Sequence, residues 1–221
     1  MSDVVNMILS TVFGHTSMDD FMRLSLRFSG FGLSDEDIVD AIQSACDFFN
    51  IPMPRLISDL TNVQGGQTMF LNWYRNSYDD DVLCFDMQQL IDMNVDSKDA
   101  FSLVMTHECA HRVLQDTQFP GVNGGAWEEE LAADFLMGVR AALWGMDDLK
   151  ISNALRVTSG SDTHPEGILR SLFIHQGHYI ALVMRDQGVP LTIQNLINQF
   201  MAFREQHFYD ILHFQRKYNL I

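Results

Sequence analysis

Two histidines four positions apart, His107 and His111, constrain this chain more than any other feature of its sequence. They lie in a stretch from Lys98 to Gln115 whose apolar residues recur at helical spacing. Four residues make slightly more than one helical turn, so the two imidazoles point the same way and can bind one cation. Zinc suits such a pair, and Glu108 beside it can take a proton from a water that the metal activates. The alternative is two histidines that share a helix face and bind nothing.

A zinc site needs a third protein ligand, and Glu130 is the candidate. It follows His111 by 19 positions and lies on a second predicted helix, beyond a loop rich in glycine. Asp134 comes one turn after Glu130 on the same side, where its carboxylate can accept the second ring N–H of a ligand histidine. Glu128 and Glu129 are interpreted as solvated acids in the first turn of this helix, where the helix dipole favours negative charge.

The two motifs, His-Glu-Cys-Ala-His and Glu130-x-x-Ala-Asp134, resemble those of the gluzincin metallopeptidases. The pattern is most similar to that of the CAAX prenyl endopeptidase family and its soluble relatives, and it covers residues 97–170. The resemblance implies that the first motif gives two zinc ligands and the base, and that the second gives the glutamate ligand and a supporting aspartate. The chain departs from the membrane-bound members because it lacks transmembrane helices, which argues against lipid-modified substrates.

The segment from Ser161 to Arg170 also fits the family pattern, in which a His-Pro pair is followed by an arginine. The resemblance implies that His164 lies near the metal and helps to bind the oxyanion. It also implies that Arg170 holds the site together or touches substrate. The residues alone indicate less, because His164 could be an ordinary loop histidine at the start of a helix.

The remaining pattern predicts an α+β fold that is mostly helical, a zincin-like metallopeptidase with a small sheet preceding the motif helix. The predicted helices are one capped by Ser17–Asp20 and ending at Gly30, one capped by Ser34–Asp37, Lys98–Gln115, Trp127–Leu143, one from Pro165 to Gly188, and Thr192–Lys217. Gln67–Tyr74 and Val82–Phe85 read as strands that can pair, and the second could present an edge to which an extended peptide adds.

With 221 residues, 47% of them hydrophobic, the chain can form one compact domain with a substantial core. We expect a single metallopeptidase-like domain over residues 1–221. It would comprise a helical N-terminal part at 1–64, a catalytic core at 65–170 and C-terminal helices at 171–221. No linker that would separate two domains is visible in the sequence.

The net charge of −15, from 29 acidic and 14 basic residues, argues against nucleic acid as a partner, because such a surface repels phosphates. Three cysteines give no disulfide framework and suit a reducing compartment. The chain begins without a typical signal peptide and has no apolar segment long enough for a bilayer, so we expect a cytoplasmic protein without a membrane partner. The sequence leaves the oligomeric state open.

His175 and His178, three positions apart on one predicted helix, could form a rival metal pair. No carboxylate accompanies them with motif-like placement, so a structural role is the preferred interpretation. Cys109 lies within the motif but points away from the imidazoles, and it is interpreted as a small core residue.

Three functions are compatible with these residues. The first is a zinc-dependent endopeptidase acting on peptide or protein substrates, with Glu108 as general base. The second is a non-catalytic zinc-containing protein that binds peptides or regulates a partner. The third is a metal-dependent hydrolase acting on another bond. Glu108 argues against the second, because a purely structural zinc site needs no base and is usually closed by a fourth protein ligand.

Overall fold

The computed structural model describes residues 33–57, 71–75, 81–85, 95, 97–116 and 126–220. It is mostly helical, as predicted. The helices are α1 (Asp35–Phe49), α2 (Lys98–Asp116), α3 (Ala126–Trp144), α4 (Leu149–Arg156), α5 (Gly167–Asp186), α6 (Ile193–Gln206) and α7 (Phe208–Lys217). The strands are β1 (Arg55–Ile57), β2 (Leu71–Arg75) and β3 (Asp81–Phe85). The helix predicted to end at Gly30 lies outside the described residues.

The chain divides into two compact units, Met1–Ser102 and Leu103–Ile221, with the boundary inside α2. The expectation of a single domain over residues 1–221 stays a prediction. None of the helices in the described ranges is both long enough and apolar enough to cross a membrane.

In the first unit, α1 begins at the capping box that the sequence predicted. The Ser34 hydroxyl accepts the backbone N–H of Asp37 at 3.1 Å, and the Asp37 carboxylate accepts the backbone N–H of Ser34 at 3.0 Å. The helix ends at Asn50, whose φ of 54° is left-handed. Ile38 and Ile42 are buried along one face, so local capping and the apolar stripe are sufficient to define this helix.

The three strands of the first unit pair in the order β1-β3-β2. β2 runs antiparallel to β3, with Leu71 opposite Phe85, whereas β1 runs parallel to β3, with Leu56 opposite Leu83. β3 is therefore paired on both sides, and the expectation that the strand at 82–85 presents a free edge to a peptide is wrong. The cause is β1, a three-residue strand too short to show an alternating pattern in the sequence.

In the second unit, α3 is buried along most of its length and ends where Gly145 adopts a φ of +65°. The sequence pattern missed α4, which packs against α5. It also joined α6 and α7 into one helix. The two are separated at His207, where no glycine or proline marks a break, and the His207 ring packs on Phe203 with 4.5 Å between ring centroids.

Glycine allows α3 and α5 to pack with their backbones in contact. A Cβ on Gly138 of α3 would lie 2.0 Å from the carbonyl oxygen of Ile174. A Cβ on Gly177 of α5 would lie 1.9 Å from the carbonyl oxygen of Phe135. Because the clashing atoms are main-chain atoms, no side-chain rotation can relieve them, and both positions require glycine.

We expect Gly177→Ala to lower the free energy of unfolding by about 3 kcal/mol, since the added methyl group must push two helices apart. For a chain of this size that corresponds to a fall in Tm of about 6–12 °C. Urea and thermal unfolding followed by circular dichroism measure the change. Arg185→Ala, at a side chain that is 55% exposed near the end of the same helix, is the matched control and should shift Tm little. A Gly177→Ala protein as stable as the control would disprove the backbone contact.

Candidate metal centre

The second unit brings the two motif histidines together on α2. The ring nitrogens Nε2 of His107 and His111 lie 3.1 Å apart, and the rings meet edge to face with centroids 4.7 Å apart. His107 is buried and His111 is partly buried. The predicted helix over this stretch is confirmed, and with it the shared direction of the two imidazoles.

Glu130 comes from α3 and faces both imidazoles. Its Oε2 lies 3.3 Å from His107 Nε2, and its Oε1 lies 3.4 Å from His111 Nε2. Ligand atoms bound to zinc at about 2.0–2.1 Å in tetrahedral geometry stand about 3.3 Å apart. His107, His111 and Glu130 each offer one ligand atom within 4.8 Å of the other two, which is close enough for all three to bind a single cation. These three residues form the only such ligand cluster found among the described residues.

The Glu130 side chain is only 13% exposed, and its surroundings favour a positive charge beside the carboxylate. Its Oε2 atom is shielded from solvent and has no hydrogen-bond partner. Burial alone would raise the pKa of Glu130, but the facing rings of His107 and His111 outweigh that effect and hold the pKa well below its usual range. A divalent cation between the three groups would satisfy this oxygen and both imidazoles at once, so the residues present fit zinc.

The imidazoles cannot both carry a proton on Nε2, because the two N–H groups would face each other across 3.1 Å. Burial tends to lower the pKa of His111, but Glu129 and Glu130 raise it to about 10. The cluster therefore holds one positive charge strongly, either a proton or a metal ion. Because the ligand nitrogens must be unprotonated, a zinc ion at this position would have to displace that proton.

Asp134 lies one turn after Glu130 and is fully buried. Its Oδ1 is 3.0 Å from His107 Nδ1, although that nitrogen lacks the alignment of a hydrogen bond. Arg170 of α5 donates twice to the carboxylate, from Nε to Oδ2 at 2.8 Å and from Nη2 to Oδ1 at 3.0 Å. The pair locks Asp134 behind the His107 ring, where a small ring rotation would complete the predicted N–H contact.

Arg170 was expected either to hold the site together or to touch substrate. Besides its two bonds to Asp134, its Nη2 lies 3.6 Å from Glu130 Oε2. The guanidinium is mostly buried, and it forms ion pairs with two carboxylates of α3, those of Glu130 and Asp134. The structure therefore favours the first of the two roles.

Glu129 is not a merely solvated acid of the first helical turn, as the sequence suggested. Its Oε1 lies 3.0 Å from Nδ1 of His111, and its side chain is 41% exposed. A carboxylate on the outer nitrogen of a ligand histidine fixes the tautomer and directs the other nitrogen toward the metal. Glu129 and Asp134 thus stand behind His111 and His107, respectively.

The prediction that Glu128 is a solvated acid of the first helical turn is wrong, because this residue is only 4% exposed. It forms a buried ion pair with Arg204 of α6, whose Nε lies 3.1 Å from Glu128 Oε1 and whose Nη2 also donates to it. A signal was present in the sequence. Glu128 falls on the helix face of Leu131 and Phe135, and Arg204 continues the apolar stripe of α6 one turn after Phe200, so each charge occupies a core position.

His164 lies in the loop between α4 and α5, with Nε2 3.8 Å from Glu130 Oε1. Its Nδ1 is 2.8 Å from the hydroxyl of Thr163. A hydroxyl that donates to Nδ1 leaves the ring proton on Nε2, the nitrogen on the Glu130 side. The His164 side chain is 55% exposed, and its partial burial lowers the pKa of the ring, which favours the neutral form.

Glu108, the predicted base, is a buried carboxylate on α2. Burial raises the pKa of Glu108, while the charges of His107 and His111 oppose the rise. A carboxylate whose pKa is shifted toward neutrality is better matched to proton transfer at pH 7 than an exposed one. The direction of this pKa shift suits a general base.

The side chains of the other histidine pair, His175 and His178, form hydrogen bonds and ion pairs that join α5 to α4 and to its N-cap residue. His175 Nε2 lies 3.0 Å from the hydroxyl of Ser152, and His178 Nδ1 lies 3.1 Å from Oδ2 of Asp148. This agrees with the structural role preferred for both rings. Cys109 is buried within α2, as expected for a small core residue.

Comparison with known proteins adds no family to these observations. No protein-family model, curated protein or solved structure matches the chain. The resemblance to gluzincins therefore rests on the motifs themselves, and the geometry of the cluster is independent of it.

Proposed function

We propose that this chain is a zinc-dependent endopeptidase in which Glu108 is the general base. The observation that carries the proposal is the convergence of His107, His111 and Glu130, with 3.1–3.4 Å between their facing ring nitrogens and carboxylate oxygens. The proposed arrangement is of the zincin type. The motif helix gives two ligands, the following helix gives the third, and a small sheet comes earlier in the chain.

Nε2 of His107, Nε2 of His111 and the carboxylate of Glu130 would hold the zinc ion. When bound, zinc acts as a Lewis acid that polarises the scissile carbonyl and lowers the pKa of water to about 7. Glu108 accepts a proton as the water oxygen bonds to the carbonyl carbon. It then delivers that proton to the amide nitrogen as the C–N bond breaks, which releases the new amine.

The surrounding residues have distinct roles in the proposed reaction. His164 offers an Nε2–H to the carbonyl oxygen as negative charge develops there, a contribution of about 3 kcal/mol for a well-placed donor. Arg170 holds Asp134, and Asp134 orients His107, so neither has to touch the substrate. Glu129 orients His111 in the same way.

The burial of Glu108 favours a catalytic zinc site over a non-catalytic one. Three protein ligands leave a fourth position open for water or substrate, as catalytic zinc sites do. Burying the Glu108 carboxylate costs stability, and a non-catalytic peptide-binding protein would gain nothing from that cost. Zinc bound without any hydrolysis would instead support the non-catalytic function.

We expect metal analysis of the purified chain to find about one zinc ion per molecule, bound at the three-ligand site. Digestion of a broad peptide library should yield internal cleavages that a chelator abolishes and added zinc restores. Hydrolysis that survives complete removal of the metal would refute the proposal. Cleavage of ester or amide substrates but of no peptide would indicate a different hydrolase.

A further inference from the structure

We propose that Lys217 and Tyr218, at the end of α7, are positioning residues that hold the loop carrying His164 against the helix of Glu130. The role of His164 in the reaction rests on the proposed function. The holding of the loop is a structural property, and it can be measured without any activity.

The loop is anchored before His164 by Trp127. The buried indole donates its Nε1–H to the carbonyl oxygen of Ser161 at 2.9 Å. Ser161 is tied in turn to His164, since its backbone N–H donates to the His164 carbonyl at 2.8 Å and its hydroxyl accepts the His164 N–H at 3.0 Å. Because Trp127 precedes Glu130 by three residues on α3, this anchor joins the loop to the helix of the proposed metal ligand.

A second anchor lies after His164, at the buried carboxylate of Glu166. Its Oε1 accepts the hydroxyl of Tyr218 at 2.9 Å and is ion-paired with the ammonium group of Lys217. The backbone N–H of Gly160 also donates to this carboxylate. The hydrogen bond from Lys217 is the largest of the effects that hold the pKa of Glu166 below its usual value, so the carboxylate stays charged and keeps its donors.

The ring of Tyr218 connects the two anchors. It meets the indole of Trp127 edge to face, with 5.9 Å between ring centroids. The same ring lies against Gly160, where a Cβ would come within 3.0 Å of the Tyr218 Cε2 atom. One aromatic side chain from α7 thus contacts the start of the loop and the tryptophan of the first anchor, while its hydroxyl binds Glu166.

This arrangement has a consequence for catalysis that differs from a general effect on folding. His164 Nε2 lies 3.8 Å from Glu130 Oε1 only while the loop keeps its position. A misplacement of about 1 Å can cost a reaction about 10²-fold, whereas the affinity for zinc depends on α2 and α3. Loss of the second anchor should therefore lower kcat and leave zinc bound.

The first measurement is amide hydrogen exchange across residues 158–166 in the zinc-loaded full chain. In the double variant Lys217→Met, Tyr218→Phe we expect exchange to rise about tenfold or more, because two hydrogen bonds to Glu166 are lost. Tyr209→Phe, at an 82% exposed tyrosine of the same helix, is the matched control and should leave exchange unchanged. Exchange in the double variant equal to that of the control overturns the proposal.

The second measurement combines the double variant with His164→Ala. If Lys217 and Tyr218 act through His164, their loss lowers kcat in the wild-type background and has no further effect once His164 is absent. An equal loss of kcat in both backgrounds shows a merely structural effect and refutes the positioning role. Should the wild-type chain cleave no peptide, the proposed function fails, and the exchange rates still decide whether this pair holds the loop.

Discussion

Glu108→Gln is expected to lower kcat for peptide hydrolysis by about 10²–10⁴-fold while zinc remains bound. Glutamine has the shape of glutamate but cannot accept the proton of the attacking water. Glu108 is absent from the three-ligand cluster, so the metal should bind the variant as it binds the wild type. Single-turnover kinetics with a fluorogenic peptide, together with zinc content by mass spectrometry, measure the two properties separately.

A matched control for this variant is Glu205→Gln, which makes the same chemical change at a side chain that is 76% exposed. Its kcat and zinc content should equal those of the wild type. If Glu108→Gln keeps full activity, Glu108 is not the base. If that variant loses zinc, its carboxylate contributes to the metal site in a way that the geometry of the cluster does not show.

Three consecutive glutamates at the start of α3 are expected to respond differently to the same change to glutamine. Glu130→Gln should weaken zinc binding by about 10²–10³-fold. Binding of zinc to a site of four ligands contributes about 10–16 kcal/mol, and the loss of one ligand removes about a quarter of that free energy. Glu129→Gln removes only the carboxylate behind His111 and should cost about 10–100-fold. Glu128→Gln should leave zinc affinity unchanged, since its carboxylate pairs with Arg204 instead.

The Glu128 variant has its own expected effect, on stability. Replacing one partner of a buried ion pair typically costs about 3–5 kcal/mol, and here it leaves Arg204 with only the exposed carboxylate of Glu205 at 3.3 Å. Zinc titration by calorimetry and urea unfolding, applied to all three variants, separate these roles. Equal zinc affinity for Glu129→Gln and Glu130→Gln would contradict the assignment of Glu130 as the ligand. An unchanged stability of Glu128→Gln would contradict the buried pair.

The parts of the structure that the sequence predicted are those that depend on neighbouring residues. The capping box at Ser34 and Asp37, the helical phase of His107 and His111, and the end of α3 at Gly145 all follow from local rules. The same phase argument placed Asp134 behind a ligand histidine, and the structure puts it beside His107.

The parts that the sequence did not predict depend on contacts between distant residues. Arg204 lies 76 residues after Glu128, so the helical phase of Glu128 could indicate a buried position but could not identify the residue that pairs with it. The central place of β3 depends on pairing with β1, which precedes it in the chain by more than twenty residues. The break between α6 and α7 at His207 has no glycine or proline, so no local rule predicted it.

The glycine contact between α3 and α5 sets the spacing of the two helices independently of the side chains that form the site. Glu130 and Asp134 belong to one of these helices and Arg170 to the other, so the distance across which they meet is set where Gly138 and Gly177 let main chain touch main chain. Side chains around the proposed metal site can then be exchanged without changing that spacing. The specificity of the site can therefore change while the spacing of α3 and α5 stays fixed, because that spacing is set about two helical turns after Glu130.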